Sequence, residues 1–338
     1  MPDLTLSFAM TPYDRVMPLI TGEVKPVGIT LEYLGMPGGV PQVFFDQIKY
    51  HRYDLSEFSM SSFMVERAHG YPYRLLPVFH NRNFSYCSIV IRTASGIRQD
   101  HPEDLKGKRF ALMDYQQTAG LWIRGVLKHE FGVEAEDIDW YQTRGKNYSH
   151  TGASGTTLPP GVRLTYVQTD WGTMFFDGTM DAAMGYGPPA DSSVDRPMKN
   201  IRGNPDFPLL FSDPIAEGAR YYKKTGIFPP HHTTVVRQEI LDKHPWVAMS
   251  LMEAFERAKK IAIQRQREHP PTLMVFGPQY QAQIDELMGP DPFAYGVKAN
   301  AKAIDFIQQI SVEQGLSPKK QAWDEIFPES VMIAEERV

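Results

Sequence analysis

Short segments of period-two alternation take turns with helix-like segments along most of the first 190 residues, and that alternation admits few folds. LTLSFAM (4–10) and ITLEYLGM (29–36) alternate apolar and polar positions as half-buried strands do. PQVFFDQIKY (41–50) follows a Pro-Gly-Gly-Val-Pro turn and reads as a helix with proline at its start. YDLSEFSM is a short strand, SSFMVERAHG a helix headed by serine, and RLLPVFHNR and FSYCSIVIR two more strands. Strands that alternate with helices predict an α/β fold with largely parallel sheets.

A second run of the same kind starts near residue 101. RFALMDY is a strand leading to a helix over about 118–129, ended by Gly132. IDWYQTR and LTYVQ read as strands, WGTMFFDGTM as a helix capped by Asp170, and DAAMGYG (181–187) as a strand running to a Gly-Pro turn. Residues 145–160, rich in Gly, Ser, Thr and Pro, read as a long exposed loop. Beyond residue 240 the pattern becomes helical. Trp246, Met249, Leu251, Met252, Phe255, Ala258 and Ile261 recur at near-helical spacing, and 297–316 forms another amphipathic segment.

Length and composition fit two lobes. The chain has 338 residues, 42% of them hydrophobic and 22% charged, enough for two sizeable cores. A net charge of −5 without a basic block argues against nucleic acid as a partner. The one cysteine, Cys87, lies in an apolar run and reads as a buried hydrophobe in a reducing compartment. The N-terminal segment opens directly on a strand pattern without a leader signature, and no window is apolar enough for a membrane span. The expected location is therefore cytoplasmic, although a secreted form without its leader would read the same way. Close histidine or cysteine pairs of metal-site spacing, a Walker loop, G-x-G-x-x-G and G-x-S-x-G are all missing from the sequence, so no metal and no cofactor is expected.

Two local features suggest chemistry. GIFPPHHTTVVR (226–237) sets His231 and His232 at the mouth of a strand behind two prolines. Adjacent strand residues point to opposite faces, so one imidazole at most faces a site unless the backbone is irregular. The plain alternative is that both fill a strand start. Gly120, inside the first turn of a helix, is the other feature, since glycine there costs stability.

DLKGKRFALMDYQQTAGLWIRGVL and DGTMDAAMGYG resemble the second lobe of type II periplasmic-binding-protein folds. TPYDR, YDLSEFSMSSFM, RNFSYCSIVIR, DYQQTAGLWIRGVL and GIFPPHHTTVVR resemble the 4,5-dihydroxyphthalate decarboxylases, cytosolic members of that superfamily. The resemblance implies two α/β lobes with a ligand cleft between them, lobe one from 1–92 plus 220–338 and lobe two from 93–219. It implies a carboxy-lyase acting on an aromatic dicarboxylate without a cofactor.

Within that frame Ser61, Ser62, Gln117 and Thr118, at expected helix starts, suit carboxylate binding, although Ser61 and Ser62 read as readily as capping residues. Arg15, Arg82 and Arg124 are candidates for a bidentate clamp, and Arg124 could equally pair with an acid on its own helix. His231 or His232 would supply the proton, with Asp14 assisting or merely holding Arg15. Two rivals stay open: a solute receptor of the same fold without catalysis, and a cytosolic enzyme or sensor for another ligand, such as a pyrimidine-type precursor. Phe276, Tyr280, Phe293 and Tyr295 are either core or the interface of a homo-oligomer.

Overall fold

A computed structural model describes residues 4–185, 199–270 and 273–336. The chain forms two compact units. The first comprises residues 1–82, 230–304 and 321–338, and the second 83–229 and 305–320.

The first unit is built on a five-stranded sheet of order β2-β1-β3-β10-β4. Its strands are β1 (Leu4–Ala9), β2 (Ile29–Tyr33), β3 (Leu55–Ser59), β4 (Tyr73–Arg82) and β10 (Pro230–Arg237). β1 pairs in parallel with β2 and β3, whereas β10 runs antiparallel between β3 and β4. At the edge, β2 alternates buried and exposed residues, as its sequence does. In the centre, all five residues of β3 are buried, as expected of a strand covered on both faces. Polar side chains at Ser56, Glu57 and Ser59 are therefore carried inside.

Helices Val40–Tyr50 and Met60–Ala68 connect these strands, and Ser59 caps the second by accepting from the Ser62 N–H at 3.3 Å. The long helix Trp246–Glu268 covers the sheet with Val247, Ala248, Leu251, Ala254, Phe255 and Ala258, each 2% exposed or less. Of the stripe its spacing predicts, Leu251, Phe255 and Ala258 are buried, whereas Trp246 is exposed, so the buried face is turned from the predicted one. Among the described residues no helix is long and apolar enough to cross a membrane.

The second unit has its own sheet, in order β5-β9-β6-β7-β8. The strands are β5 (Ile89–Ile91), β6 (Arg109–Leu112), β7 (Asp139–Gln142), β8 (Arg163–Tyr166) and β9 (Ala182–Met184). β6, β7, β8 and β9 are parallel, and β5 is an antiparallel edge on β9. Val90, Trp171, Phe175, Met180 and Ala183 pack together as one core. Asp170 caps its helix by accepting from the Thr173 N–H, as read from the sequence. The Gly-Pro turn expected after β9 lies outside the described residues.

Three expectations need correction. FSYCSIVIR is not one strand: Ser85–Ser88 form a 3-10 turn ahead of the short β5. Residues 145–160 are not all loop, because Ser149 caps a helical turn at His150–Ser154 that folds onto the buried Asp114. The unit boundaries also move. β5 pairs with β9, which puts 83–92 in the second unit. Helix Pro214–Thr225 packs Tyr221 on Phe84 and Tyr86, so it belongs there too.

Residues 305–320 join it as well, because helix Ala301–Glu313 packs on helix Thr118–Phe131. A Cβ at Gly125 would lie 2.7 Å from the Ile310 side chain, so only glycine permits that approach.

Candidate active site

The carboxyl ends of β1, β3 and β4 and the start of the antiparallel β10 lie at one end of the first sheet. This is the end at which α/β sheets place their ligands. At that end sits Glu57, fully buried on β3. Its carboxylate accepts from the Thr11 N–H at 3.0 Å on one oxygen. The other oxygen, Oε1, accepts from the Tyr13 hydroxyl at 2.8 Å and from His232 Nδ1 at 2.6 Å. Burial alone would raise this acid. The bond from His232, helped by the charge of that imidazole and by Thr11, outweighs burial and holds it down to about 2.

Glu57 is thus a carboxylate at neutral pH and can only accept, which requires the proton on His232 Nδ1. Nε2 becomes the position through which the ring exchanges protons. The His232 side chain is 18% exposed, against 0% for Glu57, and its ring meets Phe44 edge-on with centroids 5.0 Å apart.

Register explains why the two meet. His232 lies opposite Ser59 and Thr234 opposite Glu57, so His232 and Glu57 are diagonal neighbours on adjacent strands. On its other side β10 pairs with β4 irregularly, with register shifts between Pro230 and Thr234. β-Bulges of this kind re-aim side chains beside functional sites. His80 falls within the irregular stretch. It is fully buried, with Nε2 2.6 Å from Thr234 Oγ1 and Nδ1 without a hydrogen-bond partner among the described residues. Burial pushes its imidazole down to about 3, so it is neutral. Its ring lies parallel to that of Tyr13, 5.8 Å away.

The residues singled out from the sequence divide between the two units. His231 is buried on β10, and it is His232 that reaches Glu57. Asp14 is exposed and pairs with Arg15 at 3.0 Å. The Arg15 guanidinium donates to the His80 carbonyl and lies 3.9 Å over the Phe293 ring, so it braces the irregular β4 segment. Arg82 bonds Asn300 and the Ala294 carbonyl, tying β4 to the chain ahead of helix Ala301–Glu313. Ser61 and Ser62 are buried in the first turn after Ser59.

Gln117 and Thr118 lie in the second unit, at the start of helix Thr118–Phe131. Arg124 is buried there, with Nε on Gln314 at 2.6 Å, Nη2 on the Tyr115 carbonyl at 2.7 Å and its plane 3.6 Å over the Tyr115 ring. It joins the 305–320 segment to its own helix and pairs with no acid on that helix. Gly120 has a packing reason too: a Cβ would lie 3.1 Å from Arg124 Nη1 and 3.4 Å from the Asp114 carbonyl.

Sequence reasoning overlooked Glu57, His80 and Tyr13. The one available signal was the acid inside the apolar strand DLSEFSM, since a buried glutamate needs a partner. That partner lies 175 residues further on.

Two α/β units, each on a largely parallel sheet and entered more than once by the chain, define the periplasmic-binding-protein class. The periplasmic aliphatic sulphonate binding protein of Escherichia coli has this fold, with a TM-score of 0.54 at 13% identity over 96% of this chain and 91% of its own. No protein-family model matches the chain. Within the class, the chain belongs to the 4,5-dihydroxyphthalate decarboxylase family. It is 34% identical over 333 residues to the 4,5-dihydroxyphthalate decarboxylase of Comamonas testosteroni, covering 97% of both chains. It is also 34% identical over 230 residues to that of Pseudomonas putida, covering 66% of this chain and 83% of the relative.

Proposed function

We propose that this chain is a carboxy-lyase converting 4,5-dihydroxyphthalate, or a close hydroxylated aromatic dicarboxylate, to 3,4-dihydroxybenzoate and CO2. Kinship with decarboxylases along 97% of the chain supports the substrate class. The observation that carries the reaction is the buried Glu57 carboxylate bonded to His232 Nδ1. A receptor needs only to hold its ligand, so a buried acid–imidazole pair at this end of the sheet favours the enzyme. A decarboxylase of this type needs a proton donor that works near neutral pH.

The chemistry follows from the ring. Each hydroxyl lies para to one carboxylate. Loss of the phenolic proton to solvent water, which returns one to the product phenolate, pushes electron density onto the ring carbon that bears the departing group. Protonated His232 delivers its Nε2 proton to that carbon, forming a dienone. The C–C bond then breaks, its electron pair restores the aromatic ring, and CO2 leaves. Glu57 stabilises the imidazolium before transfer and keeps its ring oriented afterwards. Ser61 and Ser62 are the proposed groups for a carboxylate, since they lie at a helix start in the same unit as His232. Asp14 serves by holding Arg15.

Incubation with 4,5-dihydroxyphthalate, following CO2 and the product spectrum, tests the reading. Saturable binding without CO2 release refutes it in favour of a receptor. Two further proposals go with it. The reducing cytoplasm suits the single buried Cys87, and cell fractionation checks this. Self-association through exposed Leu273, Val275 and Phe276 is checked by sedimentation.

A further inference from the structure

The Tyr13 hydroxyl and His232 Nδ1 share one oxygen, Glu57 Oε1, at 2.8 and 2.6 Å. The second oxygen is engaged by the Thr11 N–H. Two donors on one carboxylate oxygen compete, because each draws off the negative charge that the other uses. Tyr13 is fixed in this role. It sits in a tight turn, with its N–H on the Thr11 carbonyl and its own carbonyl accepting from Val16 and Met17. Its ring is held parallel to the neutral His80. Burial and the neighbouring Glu57 raise its phenol far above the usual range, so it remains a donor at every working pH.

We propose that Tyr13 is a positioning residue that sets the proton affinity of His232 through Glu57, holding it below the value that an unshared carboxylate would impose. This rests on the reading of His232 as the proton donor. Sharing has a chemical purpose there. An imidazolium held too tightly by a buried carboxylate transfers its proton poorly, and a donor works best when its affinity lies near the operating pH.

The other charged and titratable groups around the pair are His80 on β4, Arg15 in the turn after β1, and Tyr33 on β2, whose phenol is raised by burial and by Glu57. None of them bonds Oε1, so Tyr13→Phe removes a single donor and leaves the remainder in place.

The test is the titration of the His232 ring protons by NMR, assigned by their loss in His232→Gln. In Tyr13→Phe the midpoint moves up by about half to one pH unit, a three- to tenfold rise in proton affinity, as expected for losing one competing hydrogen bond. The basic limb of the rate profile moves with it, and KM stays put. In a Glu57→Gln background the same substitution leaves the midpoint unmoved. A midpoint that is unchanged or lower in Tyr13→Phe overturns the proposal, as does a shift that persists without the carboxylate. Tyr13→Met, which also lacks the hydroxyl, gives the same reading should the phenylalanine variant fold poorly. Because the titration needs no turnover, a midpoint that moves in a protein releasing no CO2 supports the tuning while refuting the decarboxylase reading.

Discussion

Replacing Glu57 by glutamine keeps the shape of the side chain and removes its charge. Glu57 accepts three hydrogen bonds, from Thr11 N, Tyr13 Oη and His232 Nδ1. An amide cannot reproduce that set. With its oxygen towards Tyr13 and His232, its NH2 faces the Thr11 N–H, donor against donor. Turned round, its NH2 faces His232 Nδ1, which must give up its proton and move it to Nε2.

A charge-assisted bond lost from a buried site costs roughly 1.5–3 kcal/mol. The same bonds hold the carboxyl at about 2 instead of its ordinary 4.5, which corresponds to roughly 3 kcal/mol at neutral pH. The variant should therefore be less stable by about 3 kcal/mol.

The effect on turnover is separate. Without the carboxylate the imidazolium has no counter-charge, so decarboxylation should slow by a factor on the order of 10²–10⁴. Substrate affinity should change far less, because Glu57 is buried behind His232. Single-turnover CO2 release at saturating 4,5-dihydroxyphthalate, together with calorimetric binding and urea unfolding, measures all three. A folded Glu57→Gln protein that turns over within tenfold of the parent refutes the assignment of the proton to this pair.

The two histidines can be told apart. His232→Gln should lose the same 10²–10⁴ in rate, and His231→Gln, next to the histidine that bonds Glu57, should lose under tenfold; equal single-turnover losses would point elsewhere. Acid sensitivity has a definite sign. Unfolded His80 takes a proton below about pH 6.5, yet the folded residue stays neutral down to about 3, so its contribution is full above 6.5 and declines as pH falls towards 3. Glu57 adds the same sign lower down, with stability present above 4.5 and lost as pH falls towards 2. Urea unfolding at pH 5 should show ~2 kcal/mol less stability than at pH 7 from His80 alone, and His80→Gln should flatten that slope. Gly125→Ala should destabilise the second unit by roughly 1–3 kcal/mol despite alanine's better helix propensity, because its Cβ would press on Ile310; a gain in melting temperature would contradict the packing of 305–320 on this helix.

Local patterns made much of the fold legible. Period-two alternation marks β1 and β2 because each residue's face follows from its own position along the strand. The spacing Trp246 to Ile261 marks the long helix for the same reason. The Asp170 cap and the Gly132 stop also need only neighbouring residues. The HH strand start and the kinship with decarboxylases were likewise visible from the chain alone.

The site itself was not visible, because its partners are distant in sequence. Glu57 meets His232 only when β10 inserts antiparallel between β3 and β4, and the register of that insertion decides which histidine is chosen. Arg124 looked like a clamp, since nothing in its own segment reveals that Gln314 and Tyr115 enclose it. The turn at His150–Ser154 read as loop because its organising contact is with Asp114, 36 residues earlier. Sequence by itself determined most of the strands and the long helices, because backbone preference and periodicity act within a few residues. Tertiary structure alone decided which charges would be buried and paired, because desolvation and strand register depend on chain segments that meet only in the folded protein.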